Sequence, residues 1–378
     1  MLEFSPSKPL TVGVEIEYQL VNARSYESAD GILPLLEFYP DDEHIKPELV
    51  QETVEVASKP SESVTELEPH LYGLVSDLAS TAGKLGLRLC GAGTHAFSRR
   101  LAAITPRPRY LAIADRSAYL AETRVTYATH VHIGVESPDE MIRIKRELTP
   151  YLPMFLALAA NSPFWHGCQT GFASYRQRAL AAVSSYGIPP TFDNWKQFLG
   201  FYRAASRSGM CTDVRDLHWD IRPQPDLGTV EIRVMDALST VSEVLALTAF
   251  IRSLVAYLRQ TAPEERPPGL PRRLPWWAQR ENHFRTSHCA LRADCIIDAE
   301  GDTERLEKTT RRVLELVAPF AREANEDRYL RGVGRLLDRP GYRRQIEVFE
   351  QKNCTREVSR AQVELLAADL LEKGGICR

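Results

Sequence analysis

The stretch LTVGVEIEYQLV, from Leu10 to Val21, decides the fold because two kinds of residue alternate along it almost without fault. One set is apolar and comprises Val12, Val14, Ile16, Tyr18 and Leu20, while the other includes Glu15, Glu17 and Gln19. Successive side chains of a β-strand point to opposite faces, so this period of two predicts a strand with one buried and one polar face. Such one-faced strands are typical of antiparallel sheets.

Three further segments alternate in the same way, namely Thr53 to Ala57, Thr129 to Val135 and Thr229 to Met235. Between these strands lie segments whose apolar residues have helical spacing. The predicted helices are Leu67 to Leu85 with a regular start near Pro69, Arg143 to Ala160, Val241 to Arg259 with a Thr240–Glu243 capping box, Thr303 to Ala324, and Arg356 to Glu372. Strands and helices follow no strand–helix–strand rhythm, so the sequence predicts an α+β fold with helices covering the apolar face of an antiparallel sheet.

Composition limits the partners that the protein can have. The formal net charge of −3 offers no electrostatic footprint for nucleic acid or an anionic membrane. We expect no segment long and apolar enough to cross a bilayer, and no signal peptide. Seven cysteines without a CxxC pair predict reduced thiols in a cytoplasmic protein. We interpret residues 1–378 as a single domain, with the Pro-rich stretch 263–275 as a surface excursion.

The polar face of the predicted strands carries an unusual set of side chains. These are Glu15 and Glu17 on the first strand, Glu55 on the second, His130 and His132 on the third, and Glu231 and Arg233 on the fourth. If the strands are neighbours, four carboxylates share one surface with a single guanidinium. Two carboxylates about 6 Å apart repel by roughly 2–3 kcal/mol at an effective dielectric near 20. Divalent cations would relieve this repulsion, and oxygen ligands with an imidazole suit Mg²⁺ or Mn²⁺.

Each of these residues also has an ordinary structural interpretation. A single Glu on a strand usually lies on a solvated face, and a lone histidine is more often hydrogen-bonded than metal-bound. Arg233 could simply pair with Glu231 or Asp236. The joint pattern on four strands favours the metal hypothesis, provided that the strands are adjacent.

Five segments together resemble one family of enzymes. They are GVEIEYQLV (Gly13 to Val21), CGAGTHAF (Cys90 to Phe97), THVHIGV (Thr129 to Val135), NSPFWHGCQTGFASYR (Asn161 to Arg176) and DLHWDIRPQPDLGTVEIRVMD (Asp216 to Asp236). The set is similar to the carboxylate–amine ligases related to type 2 glutamate–cysteine ligase, particularly the bacterial YbdK-type group. The resemblance spans about residues 10–260. It implies a glutamine synthetase-like catalytic core, in which the concave face of a curved antiparallel sheet holds ATP and Mg²⁺.

The resemblance also implies roles for individual residues. The implied metal ligands are Glu15, Glu17, Glu48, Glu55, His132 and Glu231. Arg233 and Glu231 are the implied catalytic residues, with Arg233 near the transferring phosphoryl group. We assign Arg222 and His130 to substrate binding, although a salt bridge from Arg222 to Asp220 or Asp226 is the structural alternative.

The reaction that the resemblance implies is ATP-dependent amide formation through an acyl phosphate, with Mg²⁺ or Mn²⁺ as cofactor. The family's default substrates are a small carboxylate such as glutamate and an amine such as cysteine. A homodimer is a further expectation from the resemblance. Two alternatives stay open: a phosphotransferase of the guanidino-kinase type, and a relative that binds nucleotide or metabolite without catalysis.

Overall fold

The computed structural model describes residues 2–373. In this part of the chain the strands are β1 (Val12–Asn22), β2 (Ile45–Pro47), β3 (Thr53–Ala57), β4 (Leu87–Cys90), β5 (Ala128–Gly134), β6 (Phe164–Trp165), β7 (Cys168–Gln169), β8 (Ile221–Gln224), β9 (Thr229–Asp236), β10 (Asp294–Ile296) and β11 (Thr303–Arg305). The α-helices of the same part are α1 (Ile32–Leu36), α2 (Val64–Lys84), α3 (Pro108–Ser117), α4 (Tyr119–Thr123), α5 (Pro138–Leu148), α6 (Leu152–Ala159), α7 (Arg176–Leu180), α8 (Trp195–Arg207), α9 (Val241–Gln260), α10 (Trp276–Cys289), α11 (Leu306–Glu323), α12 (Asp327–Asp338), α13 (Gly341–Lys352) and α14 (Thr355–Lys373).

A seven-stranded sheet organises the chain. Its strand order is β2-β3-β1-β5-β9-β8, with β4 pairing with the far end of β1. Every pairing in this sheet is antiparallel. The four strands predicted from alternation, β3, β1, β5 and β9, are therefore consecutive neighbours, which was the condition for the site hypothesis.

The apolar face of this sheet forms the main core. Val12, Val14, Ile16, Tyr18 and Leu20 of β1 are all buried, as their alternation predicts. Helices α2, α6 and α9 contact the sheet and share this core. The predicted α+β fold, with an antiparallel sheet and helices on its apolar face, is confirmed.

Helix α9 matches its predicted range to within a residue. The Thr240 side chain accepts a hydrogen bond from the Glu243 N–H, but the Glu243 carboxylate bonds to the N–H of Ser239, so the capping box is only half formed. By length and composition α9 could span a membrane, which corrects our expectation that no segment could. Because 83% of its apolar window is buried in the fold, α9 has the burial of a core helix.

Three other helix predictions have wrong boundaries. Helix α2 begins at Val64, capped by the Ser63 side chain, so Pro69 lies inside it rather than at its start. The segment predicted as one helix from Arg143 is split into α5 and α6 by a turn at Thr149–Tyr151. Pro150 and Pro153 lack the N–H groups that a continuous helix would need there. The start of the predicted 303–324 helix is the short strand β11.

Two further expectations concern the Pro-rich stretch and the cysteines. Residues 263–275 connect α9 to α10, and within them Leu270 is buried. The described cysteines are all free thiols, while Cys377 lies outside the described residues.

Candidate active site

All six predicted metal ligands meet on the polar face of the sheet, in two groups of three. The first triad is Glu15, His132 and Glu231, and the second triad is Glu17, Glu48 and Glu55. Within each triad, one ligand atom from every residue lies within 4.8 Å of the others. Strand register produces this arrangement, since Glu15 faces His130 across β1 and β5, His132 faces Glu231, and Glu17 faces Glu55.

The histidines of β5 are oriented towards the first triad. Nε2 of His132 lies 3.6 Å from Oε1 of Glu15 and 3.9 Å from Oε1 of Glu231. Its Nδ1 is held by the Thr229 hydroxyl at 3.0 Å, and Nε2 has no hydrogen-bond partner among residues 2–373. An imidazole fixed through one nitrogen and free at the other is the arrangement found in metal-binding histidines. His132 therefore fits a ligand role.

Glu231 is held by three cationic or amide side chains. Arg222 binds it bidentately through Nε at 2.8 Å and Nη2 at 3.1 Å. Gln224 donates to its Oε2 at 2.7 Å, and Nη1 of Arg233 contacts its Oε1. The carboxylate is completely buried. These contacts fix the orientation of Glu231 before any ligand arrives.

Protein partners orient the guanidinium of Arg222, and the substrate-binding role that we assigned to it stays a prediction. Its guanidinium is occupied by Glu231, and its Nη1 donors reach the main-chain oxygens of Arg215 and Leu217 at 2.8 and 3.3 Å. The alternative partners, Asp220 and Asp226, are not the ones it binds. Four of its five N–H groups are thus engaged, and two of them position Glu231.

His130 and Arg233 lie side by side next to Glu15. Nδ1 of His130 is 3.1 Å from Oε2 of Glu15 and 3.4 Å from Nη1 of Arg233. The Arg233–Glu231 pair that we weighed as an alternative is present. The side chain of Arg233 nevertheless keeps 19% exposure, against 5% for Arg222, so it is the more accessible of the two guanidinium groups. The substrate-binding role of His130 stays a prediction.

The first triad is charge-compensated. Burial raises the pKa of Glu15, but the imidazoles of His132 and His130 outweigh burial and hold that pKa well below its usual range. Burial likewise opposes ionisation of Glu231, but Arg222, Arg233 and His132 together lower its pKa. For His132, burial lowers the pKa, and Glu15 and Glu231 more than reverse this. Both carboxylates are therefore ionised, beside fixed positive charge.

The second triad lacks such compensation. Glu17 accepts a hydrogen bond from the Ala128 N–H at 2.7 Å, and Glu55 has Lys46 Nζ at 3.9 Å. Burial raises the pKa of Glu17, of Glu48 and most strongly of Glu55, where Glu15 and Glu48 add repulsion. Three carboxylate groups, one buried and two half-buried, whose pKa is raised despite the nearby cations, fit a small divalent ion that prefers oxygen ligands. The donor set of the second triad therefore suits Mg²⁺ or Mn²⁺.

Sequence reasoning missed two polar residues of the site. Gln224 lies two residues after Arg222 on the same strand face, and this spacing was the signal that could have found it. Arg176 begins α7 and is buried, with Nη2 3.5 Å from the main-chain oxygen of Arg233. Its Nε and Nη1 have no hydrogen-bond partner in the described part of the chain. Nothing in the local pattern around Arg176 predicted that position.

The glycines of the CGAGTHAF segment serve packing next to this site. A Cβ on Gly91 would lie 2.3 Å from the main-chain oxygen of Leu238, and one on Gly93 would lie 2.7 Å from Cγ of Asp236. Any larger residue would push this segment away from the end of β9.

Known proteins resemble this chain over almost its whole length. The model of glutamate–cysteine ligase family 2 matches residues 11–366. A relative from Trichormus variabilis, named "Putative glutamate–cysteine ligase 2", is 41% identical over 98% of this chain and 96% of its own. A relative of the same name from Thermobifida fusca is 35% identical over 96% and 92%.

Two solved structures share the fold. The glutamate–cysteine ligase of Francisella tularensis in complex with AMP superposes with a TM-score of 0.65, at 12% identity, over 98% of this chain and 93% of its own. The bifunctional glutathione synthetase of Pasteurella multocida superposes with a TM-score of 0.69, also at 12% identity, over 96% of this chain. This chain spans about half of that protein, 53% of its length.

The protein is thus an ATP-dependent ligase of the class that joins a carboxylate to an amine. Within that class, the chain belongs to glutamate–cysteine ligase family 2. The resemblance predicted from the sequence motifs is confirmed.

Proposed function

We propose that this protein uses ATP and divalent cations to activate a small carboxylate, with glutamate as the first candidate, and joins it to an amine, with cysteine as the first candidate. The observation that carries the proposal is the pair of triads on one sheet face, one charge-compensated and the other not. The names of the relatives support the choice of glutamate and cysteine.

A carboxylate must be activated before an amine can attack it. Transfer of the γ-phosphoryl group of ATP converts it to an acyl phosphate, which has a good leaving group. When bound, divalent cations would neutralise the phosphate oxygens and the charge that develops during transfer. Glu15, His132 and Glu231 would hold one ion, and Glu17, Glu48 and Glu55 another.

Arg233 then acts on the transferring group itself. Its planar guanidinium is permanently charged and matches phosphate oxygens in geometry. Arg222 and Gln224 bind Glu231 independently of Arg233. They would therefore still hold Glu231 in place if Arg233 turned towards a phosphate. The site thereby needs little reorganisation during the reaction.

The experiment that tests this function measures ADP release by the purified protein with Mg²⁺, ATP and a matrix of acids and amines. Mass spectrometry of the products should find one amide formed per ADP. A stable phosphorylated product without amide would select the phosphotransferase alternative. ATP binding by calorimetry, without ADP release for any pair of substrates, would select a non-catalytic binder.

Removing one carboxylate of the second triad should weaken metal binding while it stabilises the metal-free protein. We expect Glu55→Gln to raise the Kd for Mg²⁺ or Mn²⁺ by at least about 10–100-fold. Without metal, the loss of repulsion should stabilise the fold by on the order of 1–3 kcal/mol. Calorimetry and thermal unfolding with and without Mg²⁺ measure both effects. A variant that binds metal like the parent would contradict the assignment, and exposed Glu37→Gln is the matched control.

The metal-free protein should also show a characteristic pH dependence. Because the pKa of Glu55 is raised in the folded state, folding takes up protons there. Its contribution to stability is therefore favourable at low pH and is lost as pH rises through the raised pKa. We expect Glu55→Gln to gain stability over the parent as pH rises from about 5 towards the raised pKa of Glu55. Denaturant unfolding of both proteins in the presence of a chelator checks this, and a pH-independent difference would contradict it.

We further propose a cytoplasmic location, which the free thiols of the described cysteines support. The homodimer and the lack of nucleic-acid or membrane partners stay predictions.

A further inference from the structure

Asp220 stands on the polar face of the sheet, beside Arg233. It immediately precedes β8, where Arg222 and Gln224 face Glu231 and the intervening Ile221 is in the core. Alternation therefore puts Asp220 on the same face as Arg222. Its main-chain oxygen accepts a hydrogen bond from the N–H of Arg233 at 2.8 Å. The two residues are thus cross-strand neighbours, whose Cβ atoms typically lie about 4.5–5.5 Å apart.

The carboxylate of Asp220 is buried and lacks hydrogen bonds in the described part of the chain. Only 1% of the residue is exposed, yet neither carboxylate oxygen has a hydrogen-bond partner in residues 2–373. Nε2 of His283 lies 3.3 Å from Oδ2, but the pair does not meet hydrogen-bond geometry. A buried carboxylate without a hydrogen bond of good geometry costs several kcal/mol, so an arrangement of this kind points to a missing ligand.

Arg178 fixes the imidazole of His283, which faces Asp220. Nη2 of Arg178 lies 3.0 Å from Nδ1 of His283, and an arginine can only donate. Nδ1 is therefore the acceptor, and the proton of the neutral ring is on Nε2, on the side of Asp220. Arg178, His283 and Asp220 form a buried chain that ends beside Arg233.

We propose that Asp220 binds the ammonium group of the amine substrate and takes one proton from it. This inference rests on the proposed function, because the amine attacks a carboxyl group activated beside Arg233. Ammonium needs a carboxylate with free lone pairs, and Asp220 has them. The glutamates of the triads are less suited, since a bound cation would occupy their oxygens. His283 and Arg178 are positioning residues that keep the Asp220 carboxylate in place.

The substrate ammonium loses one proton to the Asp220 carboxylate, which becomes a carboxylic acid. The free lone pair of nitrogen forms the C–N bond as the bond between the acyl carbon and the phosphate oxygen breaks, and phosphate leaves with that electron pair. The second nitrogen proton leaves with phosphate as hydrogen phosphate. Asp220 releases its proton to solvent before the next turnover.

A cavity lies beside two of the segments that contact Asp220. It has a volume of about 570 Å³ and is lined by residues 188–191, residues 273–276 and Gln279. Gly187, just before the first of these segments, accepts a hydrogen bond from the Asp220 N–H at 2.9 Å. Gln279 precedes His283 by four residues, one helical turn, on the same face of α10. The cavity is therefore next to the segments that carry Gly187 and His283, although neither Asp220 nor His283 lines it.

Two nucleophiles distinguish a proton-accepting role of Asp220 from a structural one. An amino acid offers an ammonium group near neutral pH, whereas hydroxylamine is uncharged there and traps an acyl phosphate as a hydroxamate without a base. We expect Asp220→Asn to lower the rate of amide formation by about 10²–10⁴-fold. Hydroxamate formation by the same variant should stay within threefold of the parent, which also shows that the variant is folded. The exposed Asp226→Asn is the matched control and should leave both rates unchanged.

The positioning role of His283 has its own readout. His283→Gln should slow the amino acid reaction about tenfold through kcat, with an unchanged KM for ATP and an unchanged hydroxamate rate.

Each contrary outcome has a distinct meaning. Unimpaired amide formation by Asp220→Asn would overturn the inference. So would an equal loss of both reactions, because that pattern indicates a structural residue. If the unmodified protein gives neither ADP nor hydroxamate with any acid, the proposed function itself fails.

Discussion

Replacing Arg233 with alanine is expected to lower kcat for ligation by about 10²–10³-fold, as loss of a charged donor to a transition-state oxygen does elsewhere. The reason is that Arg233 lies at the end of the hydrogen-bond network that Arg222 and Gln224 form with Glu231. Arg233 touches Glu231 and lies 3.4 Å from His130, yet its side chain stays partly exposed. Arg222, the other arginine on β8 and β9, is more deeply buried and has four of its five N–H groups engaged.

The Arg233→Ala variant should remain folded. Glu231 keeps both bonds from Arg222 and the bond from Gln224, so the buried carboxylate is not left without a partner. Thermal unfolding within a few degrees of the parent, together with ADP release and product mass spectrometry, separates catalysis from stability. Arg331→Ala, on the exposed face of α12, is the matched control. Near-normal turnover by folded Arg233→Ala would refute its role.

The alternation in the sequence was sufficient to predict the site because each strand has only two faces. Once β3, β1, β5 and β9 are neighbours, the residues opposite the apolar positions must meet on one surface. The six implied ligands therefore fall into the two triads. Glu48 is the exception, since it lies just after β2, and only the resemblance pointed to it.

The sequence could not predict which partners each polar side chain binds. Arg222 and Arg233 hold equivalent places in the alternation, yet Glu231 and two main-chain oxygens engage four of the five N–H groups of Arg222, while Arg233 stays more accessible. A register irregularity between Thr129 and Val131 in the β5–β9 pair determines how His130 meets Arg233. Such shifts have no clear local signature.

The role proposed for Asp220 could not be predicted either, because it depends on contacts with residues that are distant in sequence. Its role depends on His283, which is 63 residues away along the chain on α10, and on Arg178 of α7. The motif itself suggested only a salt bridge to Arg222, and the structure shows that this bond goes to Glu231. Helix ends were missed for a simpler reason, because Pro69 is tolerated inside α2 once the Ser63 cap has fixed its first turn.

Replacing Glu15 with glutamine should have an effect at least as large as the loss of Arg233, because Glu15 is the charge that both histidines share. Its two oxygens lie 3.1 Å from Nδ1 of His130 and 3.6 Å from Nε2 of His132. We expect kcat to fall by about 10³-fold, equivalent to the several kcal/mol that a catalytic cation supplies.

A binding measurement distinguishes this loss from a general disturbance of the site. Manganese titration followed by calorimetry should show that Glu15→Gln loses the ion of the first triad and keeps that of the second, whereas Glu55→Gln does the reverse. The size of the glutamine side chain preserves packing, but the loss of the charge that pairs with both histidines should lower the unfolding temperature of the metal-free variant. If Glu15→Gln bound both ions and turned over at the parent's rate, His132 and Glu231 would have to hold the first ion alone. In that case the pairing of Glu15 with the two histidines would be an ordinary buried ion pair, and the first triad would no longer support ligation chemistry.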